Sequence, residues 1–115
     1  MIARGLSTSA ATDSSCTLPQ IRKHHIRRGD VIILRTRHSV YTMHALGGNR
    51  FDVSGGWFDR PGTEGKSIAI AGCTWGGSII YTEAVAACGL CTEFGNRVIT
   101  SPVVRITHLP SLIRN

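Results

Sequence analysis

The chain contains no apolar run near the roughly 20 residues that a membrane-spanning helix requires, so the expectation is a soluble protein with no membrane partner. Its first residues, MIARGLSTSAATDSSCTLPQ, lack the apolar stretch of about 7–15 residues that a secretory signal needs. Arg4 alone leaves this segment too poor in arginine for a transit peptide, and Asp13 shortly before Cys16 argues against a lipoprotein signal. With no export address visible, the expected compartment is the cytoplasm, where Cys16, Cys73, Cys88 and Cys91 are expected as thiols. Amphipathic helical segments of about 10–15 residues between the strand-like runs are also missing, which excludes a βαβ sheet. Ser, His and Asp form no recognisable catalytic context, and Asp52, Asp59, Glu64, Glu83 and Glu93 are scattered among turns and strand edges. A non-catalytic protein without a cofactor is therefore expected.

What the chain does have is β-forming residues and glycine. Ile, Val, Thr and Ala outnumber Leu, and the 13 Gly favour strands and tight turns over helices. Short β-favouring runs alternate with Gly-centred breaks: VIILRTRHSVYTM (31–43), RFDVSGGWF (50–58), KSIAIAGCTW (66–75), GSIIYTEA (77–84), CTEF (91–94) and RVITSPVVRITHL (97–109). This rhythm predicts an all-β domain, a small antiparallel barrel or sandwich of about five to seven short strands. It is similar in kind to SH3-like, Sm-like and OB barrels, a likeness of fold only that carries no function. The domain is expected over 21–110, preceded by a flexible Ser/Thr/Ala-rich tail at 1–20 and followed by a short tail at 111–115. At most one short helix is expected, near 82–89, where Thr82 fits a cap and Gly89 a left-handed end; the same residues also alternate as a strand. Pro102 requires the last run to be an edge strand there or to break in two.

The charge is concentrated. Arg22, Lys23, Arg27, Arg28, Arg35 and Arg37 lie between Arg22 and His38 opposed only by Asp30, which gives this stretch +5 of the formal net charge of +6. Lys and Arg neutralise phosphates and release condensed counterions, and Arg adds bidentate geometry and stacking. A non-catalytic domain that binds a polyanion, most simply the backbone of RNA or DNA, is the function this block predicts, with those six residues as the site. Tyr41 and Trp57 are the candidates for base stacking. The competing readings are an acidic protein surface as partner, or a solvated charged edge in a structural or protein-interaction module that forms homo-oligomers through an edge strand.

The remaining motifs are weaker. Cys88-Gly89-Leu90-Cys91 has the spacing of half a zinc knuckle or of a redox pair, but no second C-x-x-C supplies two more ligands and no βαβ context lowers a thiol's pKa. The bland reading of Cys88 and Cys91 is two small hydrophobes at a turn. Gly62-Thr63-Glu64-Gly65-Lys66-Ser67 imitates a P-loop, yet the first glycine of that motif would fall on Arg60 and a strand-like run follows. Arg28-Gly29-Asp30 spells a cell-adhesion tripeptide, although Gly-Asp before an apolar run is ordinary turn chemistry. Gly55-Gly56-Trp57 and Trp75-Gly76-Gly77 each set a Trp beside two glycines, an arrangement that lets the two rings pack together where a sheet closes.

Overall fold

Ten strands account for most of the computed structural model of the chain, which describes residues 16–62, 65–75 and 80–111. They are β1 (Cys16–Leu18), β2 (Gln20–Arg22), β3 (Val31–Thr36), β4 (Val40–Gly47), β5 (Arg50–Ser54), β6 (Gly65–Thr74), β7 (Ile80–Tyr81), β8 (Ala84–Ala87), β9 (Cys91–Phe94) and β10 (Val103–Leu109). The number exceeds the expected five to seven because β1, β2 and β7 are only two or three residues long. All pairings are antiparallel. The main sheet runs β1-β10-β3-β4-β5-β6, and the second half of β6 goes on to pair with β7 and β9. A second sheet of β2 and β8 covers it, giving a sandwich-like all-β domain. Among the described residues no helix is long and apolar enough to cross a membrane.

The alternation of side chains explains which face is buried. Ile32, Leu34 and Thr36 of β3, Tyr41, Met43 and Ala45 of β4, and Phe51 and Val53 of β5 point inward, while Arg35, His44 and Asp52 point out. Ile21 of β2 with Val85 and Ala86 of β8 closes the core from the other side, and Phe58, on a single 3-10 turn at Gly56–Asp59, seals one opening against Phe94 at 4.9 Å. Fully burying side chains of this size contributes on the order of 1.5–3 kcal/mol each, which makes this cluster the principal stabiliser of the fold.

The barrel alternative is not what forms. Beyond β9 the chain returns alongside it, with Thr100 N donating to Thr92 O and Val103 N to Leu90 O. One isolated bridge, Glu93 to Ile99, is all the regular pairing there, so the main sheet stays open. The segment near 82–89 resolves in favour of its strand reading: Ala84–Ala87 is β8, with all of Ala84, Val85 and Ala86 at 0% exposure. A chain buried on both faces has no polar stripe to show a period. The run 97–109 divides in two at Pro102, the second of the expected alternatives: Ile99 bridges to Glu93 of β9 before it, and Val103–Leu109 forms β10 after it.

Strand pairing already begins at Cys16, upstream of the boundary drawn at residue 21, with Pro19 separating β1 in one sheet from β2 in the other. The flexible tail expected at 1–20 otherwise lies outside the described residues, as does the C-terminal tail beyond Ser111. The two Trp do not pack together. Trp75 is 83% exposed, whereas Trp57 lies edge-on to Phe58 at 5.2 Å. The glycines before Trp57 have a backbone role: a Cβ on Gly55 would fall 1.9 Å from Val40 O, and one on Gly56 2.5 Å from the Tyr41 ring.

Candidate polyanion site

The six basic residues of the block do not form one patch. Arg22 and Lys23 belong to β2 and its following 3-10 turn. There Arg22 lies 3.6 Å from Glu83, and Lys23 donates from Nζ to Ala71 O at 3.2 Å. Arg27 and Arg28 precede β3 at its Val31 end, both exposed. Arg35 and Arg37 lie at the opposite end, so about 13 Å of strand, at roughly 3.3 Å per residue between Val31 and Arg35, separates the two groups. Arg37 does not share a strand face with Arg35. It sits with His38 in the β3–β4 turn, where Thr36 Oγ1 accepts from His38 N and Ser39 N and Thr36 N donates to Ser39 O.

The only acidic residue of the block has turned inward. Asp30 is 2% exposed; its Oδ2 accepts from Arg27 N at 3.0 Å and lies 2.8 Å from His108 Nε2, while its Oδ1 accepts from Ser111 N at 2.8 Å. Burial pushes this carboxyl's pKa up, but the donors from Arg27, His108 and Ser111 outweigh it and hold the group below the ordinary carboxylate value. Asp30 is a structural anion tying the entry of β3 to the end of β10, and the Arg28-Gly29-Asp30 tripeptide cannot display it.

At the Arg35 end an additional residue enters. Val103 pairs with Thr36 but Arg105 pairs with Arg35, so β10 carries one extra residue, Val104, in a β-bulge. The bulge turns both Val104 and Arg105 outward. Arg105 therefore stands directly across from Arg35, and Arg37, His38, Ser101, Pro102 and Val104 line a cleft of about 210 Å³ beside them. Among the described residues no carboxylate lies within 4.0 Å of Arg35, Arg37 or Arg105; the ion pairs there are Arg22 with Glu83 and His108 with Asp30. Arg105 is not evident from the sequence, because it lies outside the block and acquires its neighbour through an antiparallel register and a bulge. Pro102 is the only local sign that the strand is irregular.

The stacking candidates separate. Tyr41 is 6% exposed, its ring 5.8 Å from Phe94 and 6.4 Å from Phe58, so it is a core residue and not a platform. Trp57 is half-buried against Phe58. Cys88 and Cys91 flank a turn at Gly89, with Cys88 exposed and directing Sγ toward Leu18 O at 3.7 Å. No group of three or more His, Cys, Asp or Glu able to hold a metal occurs among the described residues. Burial, with Cys91 nearby, pushes the Cys73 thiol up to about 11 against the opposing influence of Lys23, which leaves it protonated and a poor nucleophile. The P-loop imitation leads into β6, a strand, where a phosphate cradle needs a helix N-terminus. Comparison of the chain with protein-family models, with curated proteins and with solved structures finds no match.

Proposed function

We propose that this domain binds the phosphate backbone of nucleic acid without catalysis, through Arg35, Arg37 and Arg105 at the turn end of β3. The observation that supports this most is the juxtaposition of Arg35 and Arg105 as directly opposed cross-strand residues with no carboxylate beside them among the described residues. Like charges in that position repel, and a bridging phosphate converts the repulsion into two charge-assisted hydrogen bonds. A mobility-shift titration at about 50–100 mM salt, where phosphate contacts are strong, tests it. Retention of RNA or DNA by the wild-type chain, lost in Arg35→Glu with Arg105→Glu, is expected. An unretarded nucleic acid removes the proposal.

A second reading has its own support in Val40 and Val104, 48% and 58% exposed beside the arginines, which suit an acidic protein partner with an apolar contact. Binding that survives nuclease treatment favours that partner, and light scattering of the purified chain reports self-association.

A further inference from the structure

We infer that the nucleic acid this domain takes is single-stranded, with one unpaired base seated in the cleft and a further base stacked on Trp75; the inference rests on the phosphate-binding reading above. The cleft's walls carry it first. Pro102 and Val104 offer apolar surface, His38 a ring, and Arg37 and Ser101 polar groups. At about 210 Å³ it is below the roughly 300–1,000 Å³ of sites that enclose a drug-sized ligand, which suits one flat ring system. A base paired inside a duplex cannot present its face to such walls, whereas single strands splay their bases onto aromatic and guanidinium planes.

Trp75 is the second, independent observation. Its exposure of 83% is the highest of any large hydrophobic residue described, and strand pairings limit its distance from the cleft. Thr74 pairs with Cys91, and Leu90 accepts a hydrogen bond from Val103 N at 2.9 Å, between the cleft residues Pro102 and Val104. Steps of 3.8 Å along the chain and about 5 Å across each pairing put the Trp75 Cα within about 19 Å of Val103. A flexible strand can contact both. Arg35 and Arg105, on the bulged edge of the cleft, hold the phosphates between.

Fluorescence anisotropy with a labelled oligothymidylate of about twelve nucleotides separates this inference from the reading beneath it. The comparison arms are the same length as duplex and an abasic strand with the same phosphates. Single strand is expected to bind at least about tenfold more tightly than either. Trp75→Ala and His38→Ala are each expected to weaken it about five- to hundredfold, since stacking contributes on the order of 1–3 kcal/mol per base. Equal affinity for all three ligands, with both variants binding like wild type while Arg35→Glu with Arg105→Glu still weakens binding, overturns the single-strand inference and leaves the phosphate site standing. No binding in any arm overturns both. Unchanged urea midpoints for Trp75→Ala and His38→Ala establish that a loss reflects the contact and not the fold.

Discussion

The two ends of β3 carry the same residue types within a few positions of one another and use them differently. At the Val31 end, arginines accompany a carboxylate that is buried and held by Arg27 N, His108 and Ser111 N. At the Thr36 end, Arg35 faces another arginine and, among the described residues, has no carboxylate within 4.0 Å. The first arrangement closes the fold, whereas the second leaves charge unspent on the surface. What separates them is the placement of the acid, which a tally of net charge along the chain does not register.

The largest effect is expected at the closed end. Asp30→Ala removes the acceptor for two backbone donors and leaves His108 unpartnered, and losing one member of a buried pair costs about 3–5 kcal/mol. Urea denaturation should show this as a lower midpoint. The pH dependence has a defined sign. Because the folded carboxyl titrates below its ordinary value of 3.8, Asp30's contribution is complete above that value. It falls as acid protonates the unfolded chain first, and is gone once the pH is below the folded group's own pKa. Asp30→Asn should flatten that acid limb in a stability-versus-pH series.

Next in size is charge reversal at the open end. Arg35→Glu with Arg105→Glu should lower affinity for single-stranded nucleic acid about a hundredfold, close to 2.8 kcal/mol at 1.4 kcal/mol per tenfold, without lowering the urea midpoint. Arg27→Glu with Arg28→Glu is expected to change affinity less than about threefold, because at that distance its influence is screened at physiological salt. The salt slope sharpens the contrast: three arginines on a single strand predict about −2, at roughly 0.7 per contact, while all six basic residues of the block would give about −4. A slope near −4, or equal losses from both reversals, would show the ligand spanning the whole length of β3.

How much of this was legible depends on whether the deciding interaction was local. The inward set Ile32, Leu34 and Thr36 follows from alternation alone, and the turn at Gly95 and Asn96, closed by Arg97 N donating to Phe94 O, follows from its residues. The density of positive charge was equally plain. Its division into three groups was not, since Lys23 is committed by Ala71 O and Arg22 by Glu83, both distant in the chain. The bulge at Val104 leaves no signature beyond Pro102, and without it Arg105 has no visible link to Arg35. Tyr41 and Trp75 exchange their expected environments for the same reason. Gly56 admits the Tyr41 ring into the core, while Trp75 emerges past the last paired residue of β6.

The smallest effect is the most specific to the Arg35–Arg105 pairing. Neutralising one of two like charges that face each other across a ladder should stabilise the unliganded protein, by about 0.2–1 kcal/mol for cross-strand pairs. Arg35→Gln keeps the aliphatic stem and a hydrogen-bonding tip, so packing on Val40 is little changed and the gain reports electrostatics. It should shrink when urea titrations are repeated at about 1 M salt, where the screening length is near 3 Å. The same variant should bind nucleic acid more weakly. Stabilisation with loss of binding is expected of a site whose charge is kept for a ligand. A destabilised Arg35→Gln would instead mean that the guanidinium supports the fold, and the two ends of β3 would then differ less than their geometry implies.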